Sequence, residues 1–291
     1  MFLCRMATSE LLGPPHTIDL PSGQLDYHER GSGPAVVFVH GLLVNADLWR
    51  NVVPAVADAG YRCLAPDWPL GAHRRPMPPS ADLSPPGVAA YIAEFLDAMD
   101  LSDVTVVAND TGGALTQILM TEHPERLGRI VLTPCDAFED FFPPKLAPAQ
   151  LIGSTTAGVW LLGKLAPLHA VQRSRAGLGL VAKHPVPQEI MDSYTRPVHD
   201  DAGVRRDLRK FFRGVHKRYT LAAADKFADV KLPVLLVGAA DEKVFPERLA
   251  RRMERMLPDA RRVVVEDSYT FVPEDQPAEL ARLVVDFLRS D

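Results

Sequence analysis

Cysteine is scarce in this chain. Cys4, Cys63 and Cys135 lie far apart among 291 residues. With no Cys-x-x-Cys pair, they exclude a disulfide framework and a cysteine zinc site and fit a reducing, cytoplasmic setting. Long runs of one charge are also missing. The 32 Lys and Arg are interspersed among 37 Asp and Glu, so no basic footprint for nucleic acid is expected. The longest apolar-leaning stretch, residues 147–168, is interrupted by Gly, Pro, Lys and Gln, and no membrane span or membrane partner is expected. The opening MFLCRMATSELLGPP has one Arg and a short apolar run, without a signal-peptide apolar region or cleavage site; Met6 is an alternative start. There is neither an internal repeat nor a low-complexity tract.

What is present is alternation. HTIDL (16–20) and QLDYHE (24–29) flank a PSG turn and read as a hairpin. Short apolar runs at 35–41, 61–67, 104–110, 129–136, 233–241 and 261–267 read as buried strands. Segments with helical spacing fall between or after them, at 46–60, 84–100, 112–124, 246–257 and 276–290. Ser84 is an N-cap followed by prolines in the first turn. Continuous apolar strands alternating with helices imply an α/β fold with a mostly parallel sheet covered on both faces. Residues 137–227 break the rhythm and are helix-rich. They divide the chain into a core of 1–136 plus 228–291 and an inserted helical lid. Ligands of open α/β sheets bind beyond the carboxyl ends of the strands, beneath such an insertion.

One corner carries chemistry. In VVANDTGG (106–113) a strand stops at Asp110 and a helix begins. The pattern Ala108-Asn109-Asp110-Thr111-Gly112-Gly113 has small residues where a strand must turn sharply into a helix, exposing the central side chain above the sheet. The helix N-terminus favours an anion there. An aspartate before Gly-Gly also serves as an ordinary helix N-cap; the surrounding pattern argues for more.

That pattern resembles the α/β-hydrolase superfamily over nearly the whole chain. His40-Gly41 resembles the family's His-Gly turn, whose following residue, here Leu42, gives a backbone N–H to an oxyanion hole. The Thr111 N–H would be the second donor. Asp241, closing VLLVGAAD, matches the triad acid, and Asp136 lies at the alternative acid position. An aspartate at the elbow resembles haloalkane dehalogenases and epoxide hydrolases, in which the carboxylate attacks carbon and the resulting ester is hydrolysed by water that His activates. In DSYTFVPEDQP (267–277) Thr270 falls where that His belongs, and no histidine follows His216. Thr cannot act as a general base near neutral pH. His73 and the lid histidines 169, 184, 199 and 216 are candidates for a relocated base. Alternatively Asp110 and Asp241 share a water, with one pKa raised.

The resemblance implies a hydrolase acting on a small, largely apolar molecule, with no metal or organic cofactor. A lyase, isomerase or cyclase moving a proton with Asp110, and a silent binding protein, are the alternatives. Pocket candidates are His40, Trp49, Asn109, Asp136, Trp160, Tyr194 and Tyr219. The oligomeric state is left open.

Overall fold

The computed structural model describes residues 9–143, 145–174 and 177–290. Cys4 and Met6 lie outside the described residues. Eight strands form one sheet in the order β1-β2-β4-β3-β5-β6-β7-β8. The hairpin is β1 (Pro15–Leu20) and β2 (Gly23–Arg30). It joins β4 (Arg62–Pro66) antiparallel, at one edge of the sheet. The remaining strands, β3 (Ala35–Val39), β5 (Val104–Asp110), β6 (Leu127–Cys135), β7 (Val234–Ala239) and β8 (Ala260–Val265), run parallel to their neighbours. The parallel order brings the carboxyl ends of β3, β5, β6, β7 and β8 to one edge, where Leu42, Asp110, Asp136, Asp241 and Thr270 follow or close the strands.

The central strands are apolar because both faces are covered. Val36, Val37, Phe38 and Val39 of β3 are fully buried. Val37 and Val39 join one packed cluster, and Val36 and Phe38 the other. Alternate side chains therefore feed opposite layers, as the period of a strand requires. Helices α1 (Val53–Asp58), α2 (Pro85–Ala98) and α3 (Thr111–Glu122) cover the first half of the sheet. The Ser84 hydroxyl accepts the Gly87 N–H at the start of α2, the cap expected from sequence. The helix expected over 46–60 is divided: a 3₁₀ turn at Ala46–Trp49 precedes α1. Pro54 accounts for the division, because proline is tolerated in a first turn and breaks a helix interior.

Between β6 and β7 the chain forms α4 (Ala147–Gly153), α5 (Thr156–Leu165), α6 (His169–Gln172), α7 (Gln188–Asp200), α8 (Ala202–Gly214) and α9 (Arg218–Asp225). Val159, Val198, Leu208 and Phe212 of these helices pack with Phe142 of the same insertion and with Leu42 and Leu43 from the core. Helices α10 (Arg248–Met256), α11 (Val272–Asp275) and α12 (Pro277–Leu288) complete the second half. A buried junction ties α7 to the core. Arg50 donates two hydrogen bonds to Glu274, at 2.6 and 2.7 Å, and the Tyr194 hydroxyl donates to the same carboxylate at 2.9 Å. Removing one partner of such a pair typically costs about 3–5 kcal/mol, since the other charge stays buried.

Candidate active site

Asp110 sits at the strand–helix corner with φ 55° and ψ −131°. A non-glycine residue there carries strain of about 1–3 kcal/mol, which persists only where surrounding packing enforces it. The enforcement is visible in two glycines. A Cβ on Gly41 would collide with the Asp110 carboxylate, and one on Gly113 with the Cys135 side chain. The His-Gly turn and the Gly-Gly pair are therefore demanded by close approach of the backbone to the corner.

The Leu42 N–H donates to Asp110 Oδ2 at 3.3 Å, and the Thr111 N–H also hydrogen-bonds the carboxylate. These are the two donors expected from sequence. Burial nevertheless dominates and, with the nearby charge of Glu242, pushes the Asp110 pKa up to about 7 despite those two bonds. No histidine among the described residues hydrogen-bonds Asp110, and no cation contributes to its shift. Asp136 is 1 % exposed and accepts the Thr111 hydroxyl at 3.1 Å. Burial first, then Asp110, raises its pKa well above the usual carboxylate range. Its other oxygen is buried without a partner.

The acid beside Thr270 is Glu242, a residue that sequence reasoning missed. The Thr270 hydroxyl donates to Glu242 Oε1 at 2.7 Å. The N–H groups of Lys243, Val244 and Phe245 donate to the same oxygen at 2.9, 2.7 and 3.1 Å. Glu242 Oε2 is buried and unpaired. Asp241, expected to face Thr270, instead binds Lys183 at 2.5 Å with its side chain 48 % exposed. The turn after β7 is the physical reason. Three successive N–H groups point inward from 243–245 and capture the side chain of residue 242, so its predecessor faces out. The only sequence signal was an acidic pair, Asp241-Glu242.

Several pocket candidates have other work. His40 Nε2 accepts the Trp68 N–H at 2.9 Å, so its Nδ1–H donates to the Gly41 carbonyl at 2.9 Å. Burial lowers its pKa to about 4, and it is a neutral strut of the turn. Asn109 donates to Thr133 Oγ1 at 2.7 Å and to the Thr270 carbonyl at 2.8 Å, clamping β5 to the loop after β8. Its Oδ1 is buried and unpaired. Trp49 is fully buried against Phe38, Trp160 is 53 % exposed on α5, and Tyr219 receives a bond from Arg218. Tyr194 belongs to the Arg50–Glu274 junction, so neither tyrosine meets Asp110. Among the possible relocated bases, His73 is held by Asp207 and the Gly71 N–H, His184 by Asp267, and His199 by the Gly163 carbonyl. His169 and His216 are exposed.

The structure thus brings together Asp110, Leu42, Thr111, Asn109, Asp136, Glu242 and Thr270. Three of them present buried oxygens with no partner among the described residues. A cavity of about 320 Å³ between β6, β7 and α10 reaches Glu242 and Cys135 but is not lined by Asp110.

A strained acidic elbow under two backbone donors, on a sheet of this order, defines a hydrolase-type α/β scaffold. The chain belongs to the alpha/beta hydrolase family, whose model matches residues 36–283. It is 24 % identical over 308 residues to bifunctional epoxide hydrolase 2 of Sus scrofa, covering 93 % of this chain and 54 % of that protein. It is 35 % identical over 147 residues to a haloalkane dehalogenase of Mesorhizobium japonicum, covering 49 % and 47 %. The chain therefore spans about half the length of these two relatives. A 2-hydroxy-6-oxo-6-phenylhexa-2,4-dienoate hydrolase of Comamonas testosteroni is 25 % identical, with 93 % of each chain covered. Among solved structures, haloalkane dehalogenase DbeA of Bradyrhizobium elkani superposes with a TM-score of 0.76 at 19 % identity, covering 94 % of this chain and 97 % of that one. The epoxide hydrolase CorEH superposes at 0.78 and 19 %, covering 94 % and 98 %.

Proposed function

We propose that the protein is a hydrolase of small, largely apolar substrates in which Asp110 is the nucleophile. The observation that carries this reading is the posture of Asp110. One oxygen is held by the Leu42 N–H, on a corner whose backbone is strained to present the side chain. The other oxygen attacks an electrophilic carbon, the bond from that carbon to its leaving group breaks, and the leaving group departs with the electron pair. An ester to Asp110 results. Water then adds to the ester carbonyl, its proton passing to the nearby Glu242 carboxylate and on to solvent. The charge that develops on the carbonyl oxygen lies under the Leu42 and Thr111 N–H groups. Collapse releases the alcohol and restores the carboxylate. Leu42 and Leu43, with Phe142 and the other apolar insertion residues packed on them, suit an apolar substrate. The names of the relatives support carbon electrophiles such as alkyl halides and epoxides.

Glu242 stands where the histidine's partner is expected, with Thr270 in place of the imidazole. A positioned base contributes about 10²–10⁴-fold to such a hydrolysis. Without an imidazole the second step slows more than the first, and the ester accumulates. Rapid-quench intact-mass spectrometry with short bromoalkanes and epoxides tests this: the expected adduct maps to the peptide bearing Asp110 and is absent from Asp110→Asn. Absence of any adduct across the panel removes the nucleophile.

A second reading has its own support. A carboxyl with a pKa of about 7 and no cationic partner is suited to proton transfer near neutral pH. Asp110 would then serve a lyase or isomerase on the same scaffold. Turnover without an adduct, lost in Asp110→Asn, selects that reading.

A further inference from the structure

Of the eight large hydrophobic side chains exposed among the described residues, six lie within residues 151–168: Leu151, Ile152, Trp160, Leu161, Leu165 and Leu168. Their exposures run from 41 to 72 %. The inner face of the same helices is already satisfied, since Val159 joins Val198 and Phe212 in a packed cluster. Helix α5 is thus apolar on both sides, and its outer side has no cover among the described residues. A concentration of exposed apolar residues of this kind marks an interaction surface.

Charge narrows the partner. Residues 141–188 contain no Asp or Glu and five Lys or Arg, within a chain whose net charge is −5; one of the five, Lys183, is already paired with Asp241 and Asp267. Lys164 is exposed on the outer face of α5 and belongs to no ion pair among the described residues. Arg213 of α8 is exposed and shares a surface groove with Leu151. A second copy of this chain fits the patch poorly, because a two-fold contact would face cation with cation and bring no carboxylate from this segment. An apolar helical face bearing Trp and Leu, carrying Lys164, neighboured by Arg213 and with no acid in its own segment, is suited to the boundary of an anionic lipid layer.

We propose that α4–α6 dock the protein onto anionic phospholipid surfaces, with Trp160, Leu161 and Leu165 entering the headgroup–acyl boundary and Lys164 and Arg213 meeting lipid phosphates. The contact is peripheral and departs from the expectation of no membrane partner, which rested on the lack of a spanning segment; no helix among the described residues is long and apolar enough to cross a membrane. It stands independently of the chemistry at Asp110.

Tryptophan emission reads the contact. Trp49 and Trp68 are fully buried and Trp160 is not, so an environment-dependent shift reports Trp160. With full-length protein and phosphatidylcholine vesicles containing phosphatidylglycerol, the emission is expected to move to shorter wavelength and the protein to sediment with the vesicles. Partition onto phosphatidylcholine alone is expected to be about tenfold weaker. Trp160→Phe should lose the shift and keep most of the binding, while Lys164→Glu weakens binding severalfold. Leu161→Glu with Leu165→Glu should weaken it at least tenfold, with the far-UV spectrum unchanged. Four results overturn the proposal. They are no sedimentation with anionic vesicles, undiminished sedimentation of Lys164→Glu, a concentration-dependent dimer in light scattering that Leu165→Glu abolishes, and binding to polyglutamate without binding to vesicles.

Discussion

Replacing Asp110 by asparagine should stabilise the protein more the higher the pH. Burial holds the Asp110 pKa at about 7, against 3.8 for an ordinary aspartate. Between those values the folded protein binds a proton that the unfolded chain has released, so stability falls as pH rises from about 4 to about 7 and then levels off. The whole shift corresponds to about 4 kcal/mol, at about 1.4 kcal/mol per pH unit. The asparagine side chain is nearly isosteric and carries no charge. Its packing offset is the same at every pH, so the useful quantity is the change in the difference between the two proteins. Between pH 5 and pH 8 that difference should widen by about 2–3 kcal/mol in favour of the Asp110→Asn variant, or about 5 °C in Tm for a chain of this size. Relief of Asp136 acts in the same direction, because the Asp110 charge is one of the causes raising its pKa. Urea unfolding of both proteins across that pH range measures the quantity. Parallel stability profiles would refute the argument, since they would mean that Asp110 ionises as freely in the folded state as in water.

Glu242→Gln keeps an acceptor for Thr270 and the three N–H groups but removes the free carboxylate oxygen. It is expected to lengthen the lifetime of an Asp110 adduct by about 10–100-fold, read by intact mass after substrate removal, without slowing its formation comparably. Asp241→Asn breaks only the exposed pair with Lys183. Adduct formation and decay should stay within twofold of wild type and stability within about 1 kcal/mol, checked by the same mass assay and by melting. Tyr194→Phe removes a buried hydrogen bond to Glu274 and should cost about 1.5–3 kcal/mol of stability in urea unfolding while leaving adduct kinetics unchanged.

The hairpin was legible from its turn and the other six strands because each is a short apolar run closed by Gly, Pro or Asp, and the parallel order follows from their alternation with helices. The corner at 108–113 was legible because close approach requires glycine, and glycine shows in a sequence. The choice between Asp241 and Glu242 was not, since it depends on where three backbone N–H groups point after β7. Trp49 and Tyr194 were equally opaque. An aromatic residue after a strand, like Trp49, or on an inserted helix, like Tyr194, can face a pocket or a core, and only packing against Phe38 and bonding to Glu274 decide for the core. His40 carried a signal in its neighbour Gly41, yet its neutral state depends on the Trp68 N–H, 28 positions away.

The nucleophilic role of Asp110 is tested most directly by a single turnover in H₂¹⁸O with enzyme in excess over a short bromoalkane. If Asp110 attacks carbon, the alcohol carries oxygen from the carboxylate, so it is unlabelled, and one ¹⁸O is found in the peptide containing Asp110. Labelled alcohol with an unlabelled peptide would mean that water attacks the substrate directly, and would contradict the account.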